Sequence, residues 1–435
     1  MLKKKLPLLA ALVLLCQVLQ AQYLMDMVDT SKDMGKGLLA LYNRLDKIKL
    51  SGYIQPQFQV AESKGAKGYA GGDFSPNSNN RFMLRRARVR FDYLRLPKNT
   101  SGTSLQFVFQ YDITERGSNV RDVWGRFFEN KYQLFSFTTG LFARPFSYEL
   151  NLASSDRESP ERGRMSQILT KIERDLGAMA TFEPRNPANK LKFLKIDIGI
   201  FNGPGLIATT DYDSHKDLIG RITIKPQHLS QKITLGTAVS ILDGGLTQST
   251  KYVYTTATPG GIKNFIVDSS INNFNKIAPR KYYGADVQLK IKNGIGFTEL
   301  RGEFITGKQT ASATSSETPG ASFANNEGYY VRKFNGAYFY FLQNLGSLRH
   351  QIGIKYDWYD PNTDVKKDEI GKPGSNLNAA DIKFTTLGFG YIFYMTENAK
   401  LVLWYDRITN EKTSLAGYTG DAKDDVFTCR LQFRF

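Results

Sequence analysis

The residues of this chain best suited to chemistry are arginines. The stretch Arg81–Arg95 reads R-F-M-L-R-R-A-R-V-R-F-D-Y-L-R. On an extended strand, successive side chains point to opposite sides. Strict alternation puts Met83, Arg85, Ala87, Val89, Phe91 and Tyr93 on one face. It puts Leu84, Arg86, Arg88, Arg90 and Asp92 on the other. A guanidinium stays charged at any physiological pH and offers five N–H donors in a planar fork, a match for phosphate or carboxylate oxygens. Three on one face form either a solvated surface or the wall of a wet bore that attracts anions.

A second cluster lies in Arg144–Glu173. It carries Arg144, Arg157, Arg162, Arg164 and Lys171, and Arg174 begins the next strand. Asp156, Glu158, Glu161 and Glu173 are interspersed, and Leu150, Leu152, Ile168 and Leu169 imply a packed segment. The chemistry these residues offer is anion binding. The three histidines, His215, His228 and His350, fall in or beside separate connections and form no nucleophile–base set, so no enzyme is expected. Cys429 is the only cysteine beyond the leader described next. That excludes an internal disulfide and argues against a zinc–thiolate site, and no cofactor is expected.

The elements around these clusters come next. Lys3, Lys4 and Lys5 precede an apolar run, Leu6–Leu15, and Ala21 suits cleavage before Gln22, so residues 1–21 read as a secretory signal peptide. Cys16 would suit a lipoprotein, but Leu15 before it is bulkier than a lipid-attachment site wants. The formal charge of +17 becomes 17 − 3 = +14 once those lysines leave. A basic excess points to anionic partners, and export argues against nucleic acid. Residues 22–48 read as a helical segment on the periplasmic side. Leu24, Met27, Ser31, Met34, Leu38, Leu41, Leu45 and Ile48 follow a 3-4 spacing, the seam of a short coiled coil that would tie copies into a trimer.

From Lys49 the period is two. Strands are expected at 49–59, 81–95, 103–113, 121–129, 132–143, 174–183, 191–202, 217–226, 231–242, 281–292, 295–306, 329–342, 347–358, 382–393, 399–407 and 425–435. Short, turn-rich connections such as Asn130–Lys131, Pro184–Lys190 and Asn293–Gly294 alternate with long ones. The long ones include Val60–Asn80, Arg144–Glu173, Asp243–Arg280, Gly307–Gly328 and Tyr359–Asp381. No run of 18 apolar residues follows the leader, yet the chain holds 23 Tyr and 29 Phe. Alternating strands with loops sorted by length are the signature of a transmembrane barrel. The expected fold is all-β: a 16-stranded antiparallel transmembrane β-barrel over residues 49–435, preceded by the helical segment.

Energy fixes the faces. An Arg or Lys at mid-membrane on the lipid side costs roughly 2–4 kcal/mol. Arg86, Arg88 and Arg90 must therefore face the bore. In 103–113, Phe107, Phe109, Tyr111 and Ile113 oppose Gln106, Gln110 and Asp112. In 425–435, Phe427, Cys429, Leu431, Phe433 and Phe435 oppose Thr428, Arg430, Gln432 and Arg434. The terminal phenylalanine is similar to an outer-membrane insertion signal. Sixteen strands leave an aqueous channel unless something folds in, and the expected narrowing element is Arg144–Glu173. Arg90 joins the ladder by periodicity, and Asp122 is an acid close to it.

The chain resembles the phosphate-selective porin O/P family over most of its mature length. K-L-S-G-Y-I-Q-P-Q-F at Lys49–Phe58 resembles that family's first strand, and R-R-A at Arg85–Ala87 its paired constriction arginines. G-L-F-A-R-P-F-S-Y-E at Gly140–Glu149 and E-R-D-L-G at Glu173–Gly177 resemble two further segments, with Ser147 where glycine is usual. Asp122 sits where the family has an acid near its narrowest point. A first-strand arginine of the family falls on Tyr53 here, and the external lysine ladder is not recognisable. The resemblance implies a homotrimeric Gram-negative outer-membrane channel, contacting outer-membrane lipid and passing phosphate or other small anions. Arg85 and Arg86 are adjacent, so alternation separates them and a bulge is needed to bring both to the bore. The rival readings are a sugar or general solute porin, with Tyr53 and Trp124 on its path, and a plugged barrel serving as anchor or adhesin.

Overall fold

A computed structural model describes residues 48–95, 104–324 and 327–435. The expected signal peptide, and all but the last residue of the expected helical segment, lie outside the described residues. Sixteen strands close into one antiparallel barrel. They are β1 (Ile48–Ala61), β2 (Asn80–Arg95), β3 (Leu105–Thr114), β4 (Gly117–Phe128), β5 (Phe135–Ala143), β6 (Arg174–Phe182), β7 (Leu194–Phe201), β8 (Asp217–His228) and β9 (Ile233–Thr247). The circuit continues with β12 (Ile277–Asn293), β13 (Gly296–Ala311), β14 (Tyr329–Asn344), β15 (His350–Asp360), β16 (Phe384–Thr396), β17 (Ala399–Asn410) and β18 (Val426–Arg434). Between β9 and β12 a hairpin, β10 (Val253–Ala257) and β11 (Asn264–Asp268), lies outside the circuit and pairs in parallel with the start of β14. β1 pairs with both β2 and β18, so no barrel edge is left open.

All sixteen expected strands are present, most with ends shifted by a few residues. The hairpin was not expected. Its strands are five residues each, too short to show a period within a long polar connection. The faces follow the alternation. On β3, Phe107, Phe109, Tyr111 and Ile113 are exposed on the outside, while Gln110 is buried and Asp112 lies inside. On β18, Phe427, Leu431 and Phe433 are exposed and Thr428, Arg430 and Gln432 are buried within.

Strict alternation fails in β2, and the register shows why. Gln55 pairs with Arg86 and Pro56 with Leu84, so Arg85 is an extra residue in β2. Proline has no N–H to give the ladder, and the strand opposite it slips by one. Met83 and Arg85 therefore turn inward, and Leu84 does not share the face of Arg86. A second bulge lies in β4. Gln110 pairs with Asp122 and Tyr111 with Val120, leaving Arg121 extra. Both bulges bring two adjacent charged residues to the same side.

The loops are sorted largely as expected. At one end of the barrel the connections are tight, as at 294–295 and 397–398; at the other they are long. The exception is Glu115–Arg116, a two-residue turn at the long-loop end, followed by Gly117 at a φ of 130°. No long loop rises from the rim there.

The segment 144–173 folds into the barrel. It carries two short helices, α1 (Tyr148–Asn151) and α2 (Arg164–Leu169). Phe146, Leu150, Met165, Ile168 and Leu169 pack against Phe142, Met179, Phe201, Leu242, Tyr282, Phe334 and Tyr338 from the inner faces of β5–β7, β9, β12 and β14. The loop thus fills one half of the bore with a dry core. It turns its charged side to the other half, where β2, β3, β4 and β18 stand.

Candidate functional site

The charged side of the loop meets the barrel wall at two carboxylates, each shared by three arginines. Glu161 takes Arg85 Nε at 2.8 Å, Arg86 Nη2 at 2.8 Å and Arg430 Nη2 at 2.8 Å. Arg430 Nη1 also donates to Pro160 O at 2.6 Å, fixing the loop to β18. Glu173 takes Arg121 at 3.2 Å, Arg162 at 3.6 Å and Arg174 at 3.7 Å. Burial alone would raise the pKa of either acid. The surrounding arginines overcome it and hold both well below the usual carboxylate range.

Two more acids complete the network. Asp122 binds Arg174 at 3.1 Å, and Asp112 binds Arg88 at 2.9 Å with Arg121 at 3.8 Å. Seven guanidiniums (Arg85, Arg86, Arg88, Arg121, Arg162, Arg174 and Arg430) meet four carboxylates (Asp112, Asp122, Glu161 and Glu173). The difference, 7 − 4, is three positive charges. Arg121 Nε and Arg162 Nη1 are buried and have no hydrogen-bond partner among the described residues. Arg157 is buried nearby, with Nε and Nη1 also unpartnered. Burial, with Arg86 beside it, lowers its pKa to about 10.

A cavity of about 510 Å³ opens onto this network. It is lined by Arg85, Arg86, Arg88, Arg121, Arg162, Lys171 and Arg174, against Asp112 and Glu173. A larger one of about 1120 Å³ lies toward the long loops, and Arg85, Arg86, Arg162 and Lys171 line both. Around the second are Tyr69, Phe384 and Arg164, whose guanidinium lies 4.9 Å from the Tyr69 ring and 3.4 Å from that of Phe384. Asp424 lines it too. Burial pushes its pKa up to about 7, against the pull of Arg164.

Of the residues singled out by sequence, Arg85, Arg86, Arg88, Asp122, Arg162, Lys171 and Arg174 come together here. Arg90 does not. It lies two residues further along β2, paired with Asp92 at 2.6 Å and 5.8 Å from the Trp124 ring. Arg144 is a strut at the root of the loop, donating to Gly203 O at 2.7 Å and Ile172 O at 2.6 Å. Arg164 belongs to the outer cavity. The missed members are Asp112, Arg121, Glu161, Glu173 and Arg430. Arg430 was legible as inward by alternation. Arg121 was hidden because the bulge in β4 is invisible to a period-two reading.

Further contacts pin the loop to β1, β13 and β17. Arg301 on β13 holds Glu158 at 2.8 Å. Lys400 on β17 donates to the carbonyls of Ser155 and Arg157. Ser147 Oγ donates to Glu303 at 2.8 Å. Tyr53 hydrogen-bonds Ser154 and accepts from Arg88 at 2.6 Å.

No family model matches the sequence, and no curated protein matches it. Solved structures share the fold. The anion-selective porin from Comamonas acidovorans aligns with a TM-score of 0.52 at 12% identity, covering 89% of this chain and 99% of that one. The outer-membrane channel DcaP of Acinetobacter baumannii aligns at 0.53 and 11% identity, covering 89% and 97%. At these identities the likeness is one of fold: a closed 16-stranded barrel of the porin type.

Proposed function

We propose that this chain is a Gram-negative outer-membrane channel for passive diffusion of small anions, phosphate and related oxyanions among them. The carrying observation is the surplus of seven guanidiniums over four carboxylates around a wet cavity beside the inward-folded loop. The acids hold the arginines in place without cancelling them. Fixed cations in a low-dielectric bore lower the barrier for anions and raise it for cations. The shared acids also keep any one guanidinium from gripping its cargo too tightly, as conduction requires. The constriction residues on this reading are Arg85, Arg86, Arg88, Arg121, Arg162, Lys171 and Arg174, with Asp122 positioning Arg174.

The leader of residues 1–21 exports the chain, and three copies assemble in the membrane. The short turn at Glu115–Arg116 and the outward aromatics of β3 support β2–β4 as the contact face. The resemblance to the phosphate-selective porins, and the likeness to the anion-selective porin of Comamonas acidovorans, agree with anion passage. A sugar path draws little support. Tyr53 is engaged by Arg88 and Ser154, and Trp124 lies between Arg90 and Arg126.

Phosphate block of chloride current tests the reading. Millimolar phosphate is expected to reduce single-channel chloride conductance. Arg86→Ala removes one charge-assisted contact, worth about 1.5–3 kcal/mol, and so should weaken block about tenfold or more. Equal block of both proteins would remove the β2 arginines from the path.

A further inference from the structure

On the outer face of the barrel, diametrically across from β3, three lysines stand side by side. Lys281 on β12 pairs in register with Lys308 on β13, which pairs with Lys333 on β14. All three are exposed on the outward side. Like charges directly opposite across strands repel. Lys281 is answered by Asp243 at 3.0 Å and Lys333 by Asp364 at 3.0 Å. Lys308, between them, has no ion-pair partner among the described residues. The row lies at the long-loop end of these strands, with Tyr283 exposed two residues below it, as at a membrane interface.

Below the row, on the same strands, is an apolar groove of about 440 Å³. Its walls include Val287, Leu300, Phe339, Ile354 and Tyr356, and Gly302 lines its floor, where the absence of a side chain lets the Phe339 ring lie close against β13. Lys308 and Gly302 are six residues apart on β13, about 20 Å along the strand. With a tilt of about 40°, that is about 15 Å along the membrane normal, the half-thickness of a bilayer core.

We propose that this face is a binding site for one phosphorylated, acylated glycolipid of the outer leaflet. Its phosphate answers Lys308 and its two neighbours, and one acyl chain lies in the groove at Gly302. A protein partner would have to neutralise Lys308 and fill an apolar cleft at once; a phosphorylated lipid does both by its own architecture. The inference rests on the outer-membrane reading above, but not on anion selectivity.

The test is native mass spectrometry of the full mature chain folded in detergent. The probe is bis-phosphorylated hexa-acyl lipid A, compared with its dephosphorylated form. Wild-type protein is expected to retain one lipid A per chain and the dephosphorylated form at least tenfold less. The variant K281Q/K308Q/K333Q should lose retention at least tenfold, and so should Val287→Trp, which fills the groove. Neither substitution faces the bore, so single-channel conductance of both variants should equal that of wild type. Undiminished retention by either variant, or indifference to the phosphates, would overturn the site. A lower oligomer mass with unchanged lipid would overturn it too, assigning the face to protein contact. Wild-type protein that holds lipid A but passes no current would sink the channel reading and leave the lipid site standing.

Discussion

At the scale of residues, the site depends on acids outnumbered by arginines. A carboxylate buried at 4% exposure among Arg85, Arg86 and Arg430 is held by charge, and the arginines are held by it. Removing one partner of a buried ionic set leaves uncompensated charge and costs about 3–5 kcal/mol. Glu161→Gln should therefore lower stability by about 3 kcal/mol in denaturant unfolding from micelles, while Gln57→Ala beside it costs less. An unchanged unfolding midpoint would mean Glu161 braces nothing. The pH dependence follows from the directions of the shifts. The folded pKa of Glu161 and Glu173 is depressed, so their contribution is present above the ordinary value of 4.5 and is lost only as pH falls through a folded value well below that. Between pH 8 and 5 Glu161 and Glu173 keep their charge. Asp424 behaves oppositely. Its pKa is raised to about 7, so it is neutral below that and adds a negative charge to the outer cavity above it. Anion conductance at low salt should fall modestly from pH 6 to 8, and Asp424→Asn should flatten the profile. A slope that survives Asp424→Asn would place the titrating group elsewhere.

At the scale of elements, two bulges and one loop build the site. Alternation was enough to send Arg86, Arg88 and Arg430 inward, because a mid-membrane arginine in lipid costs too much. It was not enough for Arg85 or Arg121. Each is an extra residue in its strand, and a bulge is set by the partner strand, here Pro56 opposite Leu84, not by the residue's own neighbours. The adjacency of Arg85 and Arg86 signalled the need for one bulge; nothing comparable marked Arg121. The inward loop was legible from its retained Leu150, Ile168 and Leu169, which need a core. Which half of the bore they fill depends on inner-face residues of β5–β7, β9, β12 and β14, and that pairing is long-range. Excising residues 153–160 should raise conductance several-fold by opening the bore. Anion preference should fall but persist, because the β2 arginines stay on the wall. Unchanged conductance would show that the loop does not narrow the path.

At the scale of the whole molecule, the fold was the most legible level. Sixteen alternating segments and loops sorted by length leave few architectures besides a closed barrel. The two-residue turn Glu115–Arg116 departs from that sorting. The barrel then has three unlike sectors: a short-turned aromatic side at β3, a lysine-edged apolar side at β12–β14, and an interior split between a dry half and a cationic half. Only the interior bears on selectivity, and its central claim is a net positive bore. The most direct measurement is the reversal potential of purified protein in a planar bilayer of neutral lipid under a KCl gradient. The arginine surplus predicts a potential of anion-selective sign that shrinks as salt rises through the screening range. A cation-selective or zero potential at low salt would show that the four carboxylates cancel the seven guanidiniums, and would contradict the account.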